Sequence, residues 1–554
     1  MSGELVFAPL GGAGEIGMNM GLYGLGPKGK RRWLIVDCGV TFAGPSLPGI
    51  ELIMPDITFL IAERRNIDGL VLTHSHEDHY GALLDLWPDF ECPVFGSAFA
   101  KAMLDAKARE NGFAESVPVK IVAPGKPFNV GGFTVELVPM AHSIPENFAL
   151  LITTEAGNVL HTGDWKLDPE PVGGAPTDIA RLQKIGETSR PLAVVSDSTN
   201  ATREGESPSE ADVARTLDEL IAKAPYRVAV TIFASNVGRM ISIARAAKKA
   251  GRAVVASGRA IHRIAGIARD LGMMEGIDDF LDQDSFDRLP REKVVLICTG
   301  SQGEPRAAIA RMAAKEHPAI TLAPGDTVIF SSRTIPGNER DVIDIQNRLI
   351  DQGITLVTDR DALVHVSGHP RRQELRRLYQ WLKPDVLVPV HGEALHLRLH
   401  AELGRAEGVK TVLEARNGDL VRLFPNAGVN RSEIKAGRVY LDGNLLCDPE
   451  ESRVGERRKL AFAGHIAVSL AVDSDGDIVA GPELRFSGIP VLSEAGDNLQ
   501  NVAAGAIEGV IRSLAPKRRA DEAGFAEALR KAVRGEVGNV WGKKPMVEVF
   551  VHRI

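Results

Sequence analysis

The stretch THSHEDHYGA, residues 73–82, decides how this chain reads. Within six positions it places three imidazoles (His74, His76, His79) and two carboxylates (Glu77, Asp78), although the 554 residues contain only 14 histidines. The apolar run IDGLVLT before it reads as a short buried strand ending at Thr73. On an extended chain His74 and His76 face the same side. Asp78 and His79 fall where a helix can begin, with GALLDLW supplying its apolar positions. A strand end feeding a helix start can aim several ligands at one point. Imidazole nitrogen and carboxylate oxygen, with no cysteine nearby, form the donor set of a catalytic zinc site rather than a closed structural one. The competing reading, a polar surface turn, is disfavoured by the scarcity of histidine elsewhere.

Length alone predicts about three or four domains. With 44% hydrophobic and 25% charged residues the composition is that of a soluble globular protein, and no apolar run approaches bilayer-spanning length. The start, MSGELVFAPLGG, lacks the plan of a signal peptide. Cys38, Cys92, Cys298 and Cys447 are far apart and form no CxxC pair, which fits a reducing cytoplasm. A net charge of −7 argues against a globally basic nucleic-acid coat, but not against a local channel where metal ions supply positive charge.

Near the N-terminus GAGEIG (12–17) matches the dinucleotide fingerprint GxGxxG, and Asp37 stands about where a ribose-binding acid belongs. The context does not fit. A dinucleotide site needs a helix after the glycines, whereas GPKGKRR reads as a hairpin turn between two strands. The glycines instead suit a tight backbone path beneath a site, with Asp37 at the end of the strand WLIVD.

Further ligands recur at strand ends. His142 follows the alternating FTVELVPMA, Asp164 follows NVLHT, and His391 follows DVLVPV. Loops at one edge of a rigid sheet are where reactive groups collect. His161 lies inside a strand pattern and reads as packed or hydrogen-bonded. His396 and His400 have the i, i+4 spacing of a helical ligand pair, but the surrounding leucines and the missing acidic partner favour a helix surface.

This constellation resembles the metallo-β-lactamase superfamily. The resemblance implies Asp37 as the first motif, His74, His76, Asp78 and His79 as HxHxDH, His142 as the third motif and Asp164 as the fourth. It further implies one metal on His74, His76, His142 and Asp164, and a second on Asp78, His79, Asp164 and a late histidine. Asp164 is then shared, and Asp37 orients a ligand. The implied cofactor is two Zn2+ per subunit, with Mn2+ or Mg2+ as alternative activating ions.

Between VVSDSTNA (194–201) and DALVHVSGHPRRQEL (361–375) lie about 160 residues with their own α/β alternation. Strands are expected at RVAVTIFAS, AVVASG, KVVLICTG, TVIFSS and ITLVTD, which reads as an inserted parallel-sheet domain. That arrangement resembles the β-CASP branch of the superfamily, whose members act on nucleic acids. Its added motifs fall on Asp197, His369 and His391; DNA-acting members carry valine at the last, so His391 implies RNA. The segments LGGAGEIGMN, FASNVGRM, TGSQGEP, SSRTIPGNE and HVSGHPRRQE are similar to bacterial RNA-cleaving members. The implied fold is an αββα sandwich (1–210 and 361–445) with an inserted β-CASP domain (211–360). A linker (446–458) and a small C-terminal α/β domain (459–554) for self-association as a homodimer or homotetramer complete it.

Ser235, Asn236, Ser301, Gln302, Ser331, Ser332, His365, Ser367, Gly368 and His369 lie on successive strand ends and suit donors to a phosphate chain, though each alone is as ordinary in a turn. The resemblance places a 5′-monophosphate near Ser367–His369 and favours 5′-to-3′ exonucleolysis of single-stranded RNA, with endonuclease activity in addition. Asp37, Asp78, Asp197 and His369 are the implied catalytic set, His369 stabilising developing charge or protonating the leaving oxygen. The implied roles are RNA maturation, rRNA included, and mRNA decay beside decay or ribosome-associated partners. Arg371, Arg372, Arg376 and Arg377 offer either phosphate contacts or a solvated helix face. The rival readings are a lactonase- or thioesterase-type hydrolase, an RNA-binding regulator with a dead metal site, and a β-CASP DNA-repair nuclease.

Overall fold

The apolar runs of the first two hundred residues form two sheets that face one another. In the computed structural model, which describes residues 3–335, 337–493 and 495–554, Pro336 of the SSRTIPGNE segment lies outside the described residues, as do Met1 and Ser2 of the first expected domain and Glu494 of the last. The first sheet runs in the order 428–430, 420–424, 5–11, 20–25, 32–36, 67–71, 94–96 and 119–121. The second runs 128–130, 133–139, 148–154, 157–161, 192–197, 386–390 and 411–412. Leu5, Phe7, Val36 and Val71 of the first pack with Leu137, Leu150, Val195 and Val388 of the second. The other face of the second sheet, through Val138, Leu151, Val194 and Leu387, meets Leu182, Leu375, Leu378 and Leu403 of the helices Ile179–Thr188, Arg372–Leu382 and Ala394–Ala406. With both faces covered, LAVVSD and VLVPV are apolar at nearly every position rather than alternating.

The strands Met20–Leu25 and Arg32–Val36 pair antiparallel, so no helix follows the glycine motif and the dinucleotide reading fails. The strands Leu192–Asp197 and Val386–Val390 are parallel neighbours in register from Ala193↔Val386 to Asp197↔Val390. Everything between them is an excursion that returns to the adjacent place in the same sheet. It contains a six-stranded, all-parallel sheet in the order 281–282, 253–257, 294–298, 228–231, 327–330 and 355–357. The five strands expected there are present. The two-residue edge strand Leu281–Asp282 is too short for any periodicity to announce it.

The chain divides into two units, Met1–Phe42 with Ile53–Val439, and Ala43–Leu52 with Tyr440–Ile554. The stretch expected as a linker, 446–458, is structured: it holds the end of strand Leu445–Cys447 and the start of helix Val454–Ala463. In the C-terminal unit the strands His465–Val472, Ile478–Ser487 and Met546–Arg553 form a sheet whose buried face packs on the helices Leu499–Ser513 and Glu522–Trp541. The second helix runs past Gly535 and Gly538, because Val533 and Val537 continue its stripe into the core. No helix among the described residues is long and apolar enough to cross a membrane.

Candidate metal centre

Five of the candidate ligands follow the C-terminal end of a strand, His74 and His76 after Ile67–Val71, His142 after Phe133–Pro139, Asp164 after Gly157–His161 and His391 after Val386–Val390, while Asp78 and His79 lie in the short helix Glu77–Tyr80. Asp37, just past Arg32–Val36, and His391 both adopt left-handed backbone conformations, φ 64° and 52°, which non-glycine residues rarely adopt.

The hydrogen bonds settle how each ring is presented. His79 Nδ1–H donates to Asp37 Oδ2 at 2.7 Å, and His142 Nδ1–H donates to the Gly368 carbonyl at 2.7 Å. Thr73 Oγ1 donates to Asp37 at 2.8 Å and so accepts from His74 Nδ1–H at 3.0 Å. His391 Nδ1–H donates to Asn19 Oδ1 at 2.9 Å. In these four rings the proton sits on Nδ1 and the Nε2 lone pair is left to face the centre. His76 presents Nδ1 instead, 3.2 Å from His74 Nε2 and 3.1 Å from His142 Nε2. Three imidazole nitrogens thus converge on one point.

Three overlapping groups of ligand atoms result, each within 4.8 Å: His74, His76, His142 and Asp164; Asp78, His79, Asp164 and His391; and Asp164, Asp197, His369 and His391, of which the first two hold the expected ligands. Asp164 Oδ1 is buried with no hydrogen-bond partner, an orphaned anionic oxygen at the junction of the two. Burial, helped by neighbouring rings, holds His74 and His142 far below the ordinary imidazole value and brings His76 down to about 4, so all three stay neutral as ligands require. For Asp164 burial works against charge, but His391, His79 and His369 outweigh it and keep the carboxyl well below its usual range. The donor set fits divalent metal.

His369 stands beside both groups. Its Nδ1–H donates to Asp197 Oδ2 at 2.8 Å, and Asp197 Oδ1 is itself fixed by the Thr199 amide at 2.8 Å. Burial opposes protonation of His369, but Asp197 and then Asp164 raise it to about 9. Asn200 Nδ2 and Ser207 Oγ donate to the His369 carbonyl at 3.1 and 3.0 Å, and the buried Glu374 holds the Ser207 amide at 2.8 Å.

The residues expected to contact phosphate divide. Ser331 Oγ donates to the Val364 carbonyl at 2.7 Å and meets the buried Arg239 guanidinium. The Gln302 amide is occupied at both ends, by the Arg333 carbonyl at 2.8 Å and the Ile335 amide at 2.7 Å. These two side chains brace the insert. Asn236 caps the helix Val237–Lys249 but also lines a cavity of about 500 Å³ that reaches His142. Ser367 Oγ accepts from Asn200 Nδ2 at 2.8 Å and keeps its own proton to give. A Cβ on Gly368 would lie 2.5 Å from His142 Nδ1, so only glycine fits. His365 is driven down to about 3 by burial and by Arg239 and Arg333. Ser235 is half-buried, whereas Ser301 and Ser332 are buried. Arg372, Arg376 and Arg377 pair with Glu204, Glu407 and Glu206, the helix-face reading.

His161 is hydrogen-bonded to Tyr23 at 2.8 Å, as its place in the strand suggested. His400 is not on a helix surface: it is fully buried between Ser198, at 2.8 Å, and Tyr379. Sequence reasoning also missed Thr73 and Asn19, although both adjoin motifs already singled out.

Fold and site together define a metallo-β-lactamase-type hydrolase with a β-CASP insertion. Residues 32–220 match the beta-lactamase superfamily domain, and 353–413 match the Zn-dependent metallo-hydrolase RNA specificity domain. Residues 225–349 match the Ribonuclease J beta-CASP domain, and 452–554 match the Ribonuclease J C-terminal domain. The chain is 52% identical over 551 residues to Ribonuclease J of Sinorhizobium meliloti, spanning 100% of this chain and 98% of that protein. It is 40% identical to Ribonuclease J of Mycolicibacterium smegmatis, spanning 98% and 96%. The chain belongs to the ribonuclease J family. A crystal structure of a protein of unknown function from Enterococcus faecalis V583 shares the fold, with a TM-score of 0.54 and 17% identity over 76% of this chain and 100% of that one.

Proposed function

We propose that this chain is a zinc-dependent ribonuclease that degrades single-stranded RNA 5′ to 3′ from 5′-monophosphate ends, with some endonucleolytic cleavage. The observation that carries the reading is the pair of ligand groups sharing Asp164 beside an inserted β-CASP domain. Two zinc ions are assigned to them, His74, His76, His142 and Asp164 holding one and Asp78, His79, Asp164 and His391 the other. Divalent cations there lower the pKa of water toward neutrality and neutralise phosphate charge.

The remaining work falls to the chain. Asp37 holds His79 directly and His74 through Thr73, so one carboxylate orients ligands of both groups. His369, oriented by Asp197, offers Nε2 to the oxygen that leaves phosphorus. The Asp197 carboxylate favours the protonated ring, as a donor to a developing oxyanion requires. The products are a 5′-phosphate and a 3′-hydroxyl. Ser367, the Gly368 backbone and the cavity by Asn236 are the proposed path of the RNA backbone. RNA maturation (rRNA included) and mRNA decay in the cytoplasm, beside decay or ribosome-associated partners, with self-association through the C-terminal unit, complete the reading.

The test is incubation of zinc-loaded protein with end-labelled 5′-monophosphorylated RNA, triphosphorylated RNA and DNA. Release of mononucleotides from the first alone supports the proposal. Equal attack on DNA, or turnover of lactones or thioesters only, sinks it.

A further inference from the structure

We infer that Asn19 is the positioning residue of the second cation subsite and controls occupancy there without controlling the first. The inference rests on the two-cation reading above. Asn19 closes the N-terminal glycine loop, the segment that imitates a dinucleotide motif and has no part in the chemistry so far described. Its side chain ties together two of the four ligands of one group. Oδ1 accepts from His391 Nδ1–H at 2.9 Å, and Nδ2 donates to the Asp78 main-chain carbonyl at 3.0 Å. In the other group His74 is held by Thr73 and His142 by the Gly368 carbonyl.

The loop is shaped around this residue. The Asn19 amide donates to the Asp78 carbonyl at 2.9 Å, and the Asn19 carbonyl accepts from the Gly39 amide at 2.9 Å, so the backbone cannot slide. A Cβ on Gly12 would stand 2.3 Å from Asn19 Oδ1, and one on Gly11 would stand 1.7 Å from the Met18 carbonyl. Gly12, itself at φ 79°, also accepts from the His391 amide at 2.6 Å. The glycines therefore clear space for one amide side chain that ties a late histidine, 372 residues away, to the HxHxDH helix. An Asn at this place fixes both the tautomer and the aim of His391, which no other side chain of the subsite does.

The experiment counts zinc per chain by mass spectrometry after dialysis against a weak chelator, a readout independent of RNA cleavage. Wild type is expected to keep two zinc ions and Asn19→Ala one, the second being weakened about 10–100-fold as for other residues that hold a ligand. Asn19→Asp still accepts from His391, so it keeps more of the second zinc than Asn19→Ala and serves if the alanine variant does not fold. Asn417→Ala separates positioning from mere loop stability. Asn417 ties the same loop at the Ala13 amide, 2.9 Å, and at Glu15, 2.6 Å, without touching a ligand, so that variant is expected to keep both ions. Wild-type zinc retention in Asn19→Ala and Asn19→Asp, loss of both ions together, or equal loss in Asn417→Ala overturns the inference. Fewer than two zinc ions on wild type sinks the centre itself, a separate failure.

Discussion

Two sets of strand ends lie within one unit of this protein, and both are rich in polar side chains. At the ends of 67–71, 133–139, 157–161 and 386–390 those side chains are histidine and aspartate, and His74, His142 and His391 are anchored through Nδ1 with Nε2 left to face a common point. At the ends of 294–298 and 327–330, in the insert, Gln302 and Ser331 use their polar atoms within the protein. The difference is one of unsatisfied valence. A polar residue at a strand end marks a site only where an atom remains unpaired after the fold has taken its share, and Asp164 Oδ1 is the clearest such atom.

The comparison breaks most visibly at the ligand side. His76→Ala is expected to abolish RNA cleavage together with zinc content, whereas His369→Ala lowers kcat about 10²–10⁴-fold with zinc retained; equal zinc loss in both overturns the separation of roles. On the insert side the effects fall on stability. Glu210→Ala strands the fully buried Arg239, its partner at 3.0 Å, and is expected to cost about 3–5 kcal/mol in denaturant unfolding while zinc content stays constant. Gln302→Ala leaves two backbone groups unpaired and costs about 1–3 kcal/mol. A raised KM for RNA without lost stability restores Gln302 as an RNA contact.

The smallest effect is pH-dependent and sits at Asp168. Burial disfavours its charge, but Lys166, 2.7 Å away, Ser209 and the Glu210 amide outweigh that and lower its pKa. A carboxyl depressed in the folded state stabilises the fold above its ordinary unfolded pKa, about 4, and the benefit is lost as pH falls through the folded value. The Tm difference between wild type and Asp168→Asn is therefore expected to be full at neutral pH and to close on acidification. A constant difference down to pH 3 rules this out.

The metal constellation was legible in the sequence because titratable residues follow apolar runs, and such runs fix where a strand stops. The parallel insert was legible for the same reason, strand by strand. What stayed hidden depended on partners remote in sequence. His400 looked superficial because Leu395, Leu397 and Leu399 flank it evenly; only Ser198 and Tyr379, brought in by other elements, draw it inward. Asn19 is one uncharged residue in a glycine loop, and nothing local reveals that His391 will arrive beside it. The last helix, Glu522–Trp541, continues through Gly535 and Gly538 because core contacts of Val533 and Val537 outweigh the cost of the glycines, about 1 kcal/mol each.

The return of the chain to strand 386–390 beside 192–197 has a consequence for biosynthesis. Translation delivers His74, His76, Asp78, His79, His142 and Asp164 early, but His369 and His391 emerge only after the whole insert. Strand 420–424, which closes on 5–11, comes later still. A ribosome-bound fragment short of these residues carries ligands without the last histidine or the Asp197 partner. The centre is thus assembled only after the whole insert has been made, and a growing chain that stops short of His391 holds an incomplete one.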